Sequence, residues 1–159
     1  MIYRHWHGPV IGINVSHVWS SYASVVFLEF GKLSAREPLS KGRLGQPRGE
    51  YCLSTMQSWP FWSLSVHERI AATSDSVTSV RAAGLRLMIG RRLKTVEISV
   101  DGQSTHLQFS LGVTLTTTTE MRELRSEPHW HLFGPERGHD KQGSSVVLKA
   151  HATNPKYWQ

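Results

Sequence analysis

Histidine flanks tryptophan on both sides at two places in this chain, His5-Trp6-His7 and His129-Trp130-His131. On a β-strand, residues i and i+2 face the same side, so each pair could present two imidazoles together. Such a pair binds zinc when a third ligand arrives from elsewhere, and His139, Asp140 or His151 could supply it. In the alternative, the tryptophan is buried and the two histidines line the polar outer face of a half-buried strand. We expect this second arrangement and predict no metal site. A metal-dependent enzyme that uses the two histidine pairs is kept as a further alternative function.

Other catalytic patterns are missing from the sequence. Cys52 is the only cysteine, and it stands among apolar residues, which favours a small buried side chain. The Gly-Arg-Leu-Gly segment at 42–45 lacks the Gly-Lys-Ser/Thr ending of a phosphate-binding loop. We therefore predict no catalytic residue and no cofactor, and we do not expect an enzyme.

The chain is basic, with a formal net charge of +6 and a pI of about 9.8. Such a field favours acidic partners, but it does not distinguish a nucleic acid from an acidic protein surface. Some of the six tryptophans could serve as base-stacking platforms, although most are expected to anchor the core. A nucleic-acid-binding module is therefore one alternative function.

Residues 32–50 combine glycine and proline with several cations, which is the composition of a loop. Loops longer than about 12–15 residues are uncommon in compact domains and are often functional. We predict that this segment contacts a partner, the alternative being a solvated connector. The predicted partner-binding residues are Lys41, Arg43 and Arg48 in this segment, with Arg91 and Arg92 in a second basic run.

The strand candidates fall into two similar series that share a strand-turn-strand-glycine pattern. The later series covers 95–100, an Asp-Gly turn, 105–111, Gly112 and 113–116, and the earlier one covers 13–18, 25–30, Gly31 and 51–56. Each is followed by a tryptophan-containing strand candidate, at 59–64 and 128–133. Alternation makes Leu107, Phe109 and Leu111 the apolar face of one strand, and Glu29 is expected at an outward-facing rim. We predict a single domain, 1–159, with an internal β-unit repeat at 10–67 and 93–135.

A helix is predicted between the two units, at about 76–89. The cluster Ser74-Asp75-Ser76 offers an N-cap, and Gly90 suits the C-terminal end. Val77, Val80, Ala83 and Leu87 recur at spacings of three and four, as in an amphipathic helix. The predicted fold is α+β and predominantly antiparallel β, with two related β-meanders forming a sheet or a barrel-like pair of sheets beside this helix.

The sequence has no apolar run near the roughly 20 residues that a membrane span requires. The N-terminal residues 1–7 lack the apolar region of a signal peptide. We therefore expect a cytoplasmic protein with no membrane partner.

The segment from Leu87 to Phe133 carries a helix end, Gly90-Arg91-Arg92, a strand, the pattern Leu-x-Phe-x-x-Gly-x-x-Leu at 107–115, and a tryptophan strand. In this order it resembles small bacterial single-domain proteins that are found beside toxins, the immunity proteins. The resemblance implies binding rather than catalysis, with a cognate toxin as the partner. It carries over no functional residues.

Overall fold

The computed structural model describes residues 2–21, 25–36, 38, 40–55, 61–119, 129–135 and 145–148. Within this part of the chain, one α-helix accompanies two antiparallel β-sheets that do not close into a barrel. The predicted α+β class is thus confirmed. The elements are β1 (Tyr3–Trp6), β2 (Val15–Ser20), β3 (Val26–Phe30), β4 (Tyr51–Thr55), β5 (Phe61–Val66), β6 (Arg69–Thr73), α1 (Thr78–Arg86), β7 (Leu93–Ser99), β8 (Ser104–Phe109), β9 (Val113–Thr118), β10 (Trp130–Phe133) and β11 (Ser145–Leu148).

The six-stranded sheet has the order β1-β7-β8-β9-β5-β6, and the five-stranded sheet has the order β11-β10-β4-β3-β2. Several strands bury one face because apolar residues alternate along them. In β9, for example, Val113 and Leu115 are buried whereas Thr114 and Thr116 are half-buried. The buried faces of both sheets contribute to one hydrophobic core.

The strand registers of the two sheets correspond position by position. One row across the five-stranded sheet is Val18, Leu28, Leu53 and Leu132, and the matching row of the six-stranded sheet is Val96, Leu107, Leu115 and Leu64. Even the register shifts match, between Val15 and His17 in β2 and between Leu93 and Thr95 in β7.

The two tryptophan strands are exchanged between these sheets. β5 follows β4 in sequence but pairs with β9, whereas β10 follows β9 but pairs with β4. Trp62 lies opposite Thr117 and Trp130 opposite Thr55, which are matching positions. Each meander is therefore completed by a hairpin from the other half of the chain.

A reciprocal backbone contact joins the two sheets where β2 and β7 begin. The N–H of Val15 donates to the carbonyl of Arg91 at 2.8 Å, and the N–H of Leu93 donates to that of Ile13 at 3.1 Å. Asn14 and Arg92 form the antiparallel bridge between them. The donors and acceptors exchange roles across this bridge, so it lies on an approximate local twofold axis.

Three tryptophans anchor the core, as expected for most of them. Trp6, Trp62 and Trp130 are almost fully buried. Trp19 is only half-buried and stacks on Phe27, with ring centroids 3.8 Å apart. Trp59 and Trp158 lie outside the described residues.

Helix α1 is shorter than predicted, and its predicted apolar face is wrong. Val77, Val80, Ala83 and Leu87 are all exposed, whereas Gly84, Leu85 and Met88 are buried. The reason is close packing on β6: a Cβ atom at Gly84 would lie 2.6 Å from the Cβ of Ala72. The predicted cap is also absent, because Ser76 Oγ accepts instead from the Thr73 N–H. Among the described residues, no helix is long and apolar enough to cross a membrane.

Candidate partner-binding surface

The segment 31–50, which we call the arm, folds back on itself instead of forming a loose loop. Near its base, the Ser34 N–H donates to the carbonyl of Arg48 at 2.7 Å. Further out, Arg36 Nε donates to the carbonyl of Gly45 at 2.8 Å, and Pro38 and Leu44 form a β-bridge. These cross-links give the glycine- and proline-rich sequence a defined shape.

The arm lies against the outer face of the five-stranded sheet. His17 Nε2 and Gln46 Oε1 are 2.8 Å apart, and the Gly49 N–H donates to Glu29 Oε1 at 3.0 Å. Only glycine fits at position 49, because a Cβ atom there would collide with the carbonyl oxygen of Phe30. Glu29 is only 1 % exposed, so its predicted rim position is wrong. Its carboxylate instead holds the returning strand of the arm.

The tip of the arm presents two of the predicted cations. Lys41 lies in a 3-10 turn, Ser40–Gly42, with a φ of 64°. Lys41 and Arg43 are exposed, and Leu44 beside them is 52 % exposed. Arg48, on the returning strand, is half-buried.

The other two predicted cations lie at the local twofold axis. Arg92 is exposed, and its backbone bridges Asn14 on one side. On its other side, the Ser110 N–H donates to the Arg92 carbonyl at 2.8 Å, and the Arg92 N–H donates to Ser110 Oγ at 3.0 Å. Arg91 is half-buried.

Backbone contacts connect the arm to this arginine pair. The Gly31 N–H, at the base of the arm, donates to the carbonyl of Asn14 at 3.3 Å. A single end of the two sheets thus carries a row of connected residues, in the order Gly31, Asn14, Arg92 and Ser110. We call this end, with the arm and the turn Ser110–Gly112, the basic end.

The turn Ser110–Gly112 occupies the place that the arm occupies in the other half, because it joins β8 to β9 as the arm joins β3 to β4. Leu111 was predicted on the apolar face of a strand, and this is wrong. β8 ends at Phe109, and Leu111 is 66 % exposed in the turn. Alternation extends past the true strand end, so the sequence pattern gave no signal of this exposure.

The five predicted cations form no ion pair with any described residue. Lys41 and Arg43 project from the arm, and Arg92 lies between the arm and the Ser110–Gly112 turn. Backbone contacts therefore bring Arg91 and Arg92 to the end at which the arm begins, and Lys41, Arg43 and Arg48 lie further along the arm. Cations without ion-pair partners in the described part of the chain produce a local positive field.

The two His-Trp-His pairs differ from each other. His5 and His7 are exposed, with ring centroids 6.5 Å apart. His129, predicted on an outer face, is instead buried between the sheets, where its Nδ1 lies 2.8 Å from Thr117 Oγ1 and 3.3 Å from Thr105 Oγ1. Burial lowers the pKa of His129 to about 4, and a hydrogen bond from the ring to the Gly102 backbone carbonyl opposes this shift.

The described residues contain no group of three His, Cys, Asp or Glu side chains that could hold a metal ion. His139, Asp140 and His151, named as third ligands, lie outside the described residues. The thiol of Cys52 is fully buried.

A row of polar side chains crosses the outer face of the six-stranded sheet. His5 Nδ1 lies 3.7 Å from Glu97 Oε1, and Glu97 pairs across the strands with His106. His106 in turn contacts Thr116 Oγ1 at 3.1 Å and the Tyr3 hydroxyl at 3.3 Å. Burial lowers the pKa of His106, and the Glu97 carboxylate opposes this. These contacts satisfy one another and leave the basic end as the stronger candidate surface.

The chain was compared with protein-family models, with curated proteins and with solved structures. None of the three comparisons gives a match.

Proposed function

We propose that this protein is a non-catalytic binding protein of the immunity type, which neutralises a partner toxin by covering an acidic surface on it. One observation carries the proposal: the arm that bears Lys41, Arg43 and Arg48 begins beside the Arg91-Arg92 pair, and none of these cations forms an ion pair with a described residue. A cytoplasmic location suits this role.

The shape of the basic end supports a protein partner. The arm is braced by His17 and Glu29 of the sheet, so its charges are held in place before a partner arrives. Preorganised loops lose less conformational entropy on binding. Charges on the rim of an interface mainly accelerate association, whereas apolar contacts slow dissociation.

A nucleic acid is the second candidate partner, since the same charges would attract phosphates. The burial of Trp6, Trp62 and Trp130 favours the protein partner, because buried rings cannot stack on bases. Binding of an oligonucleotide that falls steeply with added salt would support the second candidate.

The test uses the product of the reading frame next to the gene for this chain. We expect it to arrest growth of a bacterial host when expressed alone, and we expect co-expression of this chain to restore growth. Failure to bind that product, together with tight binding of oligonucleotides, would overturn the proposal.

Single charge reversals locate the surface in the same assay. Arg43→Glu and Arg92→Glu should each slow association at low salt, by roughly tenfold. Arg81→Glu is the matched control, because it makes the same change in charge in the first turns of α1. The change removes long hydrogen bonds from Arg81 to the Ser74 carbonyl and to Thr78 Oγ1, but a carboxylate near a helix N-terminus is favourable, so this control should stay folded. Equal association rates for all three variants would place the binding surface elsewhere.

A further inference from the structure

Leu111 combines two unfavourable features at the basic end. Its side chain is 66 % exposed, so it contributes little to the core. Its backbone has a φ of 59°, in the left-handed region that a side chain with a Cβ atom disfavours. Both features lower stability: the exposed side chain gains little from burial, and the left-handed backbone is strained.

The neighbouring positions show what local folding requires of this turn. Gly112 has a φ of 75°, and a Cβ atom there would collide with the His67 ring. Glycine is therefore needed at position 112 for the close approach of the β5–β6 turn, whose His67 N–H donates to the Gly112 carbonyl at 2.9 Å. At position 111, by contrast, glycine would suit the backbone better than leucine.

The surroundings of Leu111 indicate what it could contact. Ser110, which precedes it, holds the backbone of Arg92 through two hydrogen bonds. Leu111 thus follows a residue bonded to the backbone of Arg92, an exposed cation that forms no ion pair with a described residue. An exposed apolar side chain near a cation is complementary to an acidic segment that also carries an apolar side chain.

We infer that Leu111 is the apolar anchor of the basic end, and that it binds an acidic polypeptide segment of the partner through an apolar side chain of that segment. This inference rests on the proposed function and deepens it. Strained backbone conformations occur at binding sites, where burial of the side chain by the partner can offset the cost of the strain. The anchor would govern dissociation, while Arg91 and Arg92 govern association.

The experiment uses three defined probes with the full chain: a short glutamate-rich peptide that contains leucine, a peptide of equal length and charge with serine in place of leucine, and an oligothymidylate. Affinities are measured by fluorescence anisotropy at low salt. We expect the leucine peptide to bind about fivefold more tightly than the serine peptide. Leu111→Gly should abolish this ratio and raise the urea midpoint, whereas Leu111→Met should retain the ratio.

Glu68→Gly is the matched control. Glu68 also has a positive φ, of 67°, and is exposed in the adjacent turn, but it presents no apolar side chain. This variant should relieve comparable strain and leave the ratio between the two peptides unchanged.

The outcomes separate the inference from the proposed function. Equal binding of both peptides to the unsubstituted chain, including no binding of either, overturns the inference, as does a ratio that persists in Leu111→Gly. Tighter binding of the oligothymidylate than of both peptides would instead count against the proposed function.

Discussion

Asn14 and Arg92 meet in an antiparallel bridge at which the two sheets are joined, and the backbone contacts on either side of it are reciprocal. Because the bridge lies on the approximate twofold axis, the connections that follow β3 and β8 emerge on either side of it. One is the arm and the other is the turn that carries Leu111. The internal correspondence of the two halves thereby places the start of the arm and Arg92, which are distant in the sequence, at one end.

Leu64 and Leu132 should be equally important for stability, because they occupy matching positions in the two exchanged hairpins. Both are almost fully buried. We expect Leu64→Ala and Leu132→Ala each to lower the free energy of unfolding by about 2 to 5 kcal/mol, measured by urea denaturation. Leu44→Ala, at an exposed position, should change it little. A large loss in only one of the two core variants would contradict the structural correspondence.

Gly84→Ala should destabilise the protein, although the same change stabilises most helices by about 1 kcal/mol. The added methyl group would meet the Cβ of Ala72 at 2.6 Å and push α1 away from β6. A loss of about 1 to 3 kcal/mol is expected in urea denaturation. The double variant with Ala72→Gly removes the opposing methyl and should recover part of this loss. If Gly84→Ala is stabilising by itself, the close approach of the helix is wrong.

His129 should make the protein sensitive to mild acid. Its pKa is about 4 in the folded state, against 6.5 for an ordinary histidine. Between pH 4 and pH 6.5 the unfolded state binds more protons than the folded state. The free energy of unfolding is therefore highest above pH 6.5 and declines as the pH falls towards 4. The loss should reach about 3 kcal/mol, and His106, whose pKa is also lowered, adds to it in the same direction.

The measurement for His129 is the urea midpoint between pH 7 and pH 4. His129→Gln should flatten this dependence, whereas the exposed His7→Gln should preserve it. An unchanged slope in His129→Gln would show that other groups cause the acid sensitivity.

Glu29 should control how firmly the arm is held. Glu29→Ala removes the acceptor of the Gly49 N–H, so the arm should open more often while the two sheets stay folded. Loss of one such hydrogen bond, about 1 kcal/mol, corresponds to roughly fivefold faster cleavage by trypsin after Lys41 or Arg43. Glu29→Gln keeps an acceptor oxygen and should be cleaved at nearly the unsubstituted rate. Equal cleavage of all three proteins would mean that Glu29 does not hold the arm.

Local patterns in the sequence were sufficient for the fold class. Val96 and Ile98 alternate with polar residues, and Asp101-Gly102 ends their strand with a φ of 74° at Gly102. These features depend on residues within a few positions of each other, so they can be recognised without knowledge of the rest of the chain. The same holds for the existence of α1, though not for its extent.

The pairing of the elements and the candidate site needed the tertiary structure. The apolar spacing of α1 suits more than one face, and the contact between Gly84 and Ala72 selected the buried one. Each tryptophan strand has the same alternation whichever meander it joins, so its exchange could not be predicted. His129 became buried, and Leu111 exposed, through contacts made by distant strands and turns. Sequence periodicity reports which residues can share a face, whereas contacts between residues far apart in the chain decide what covers that face.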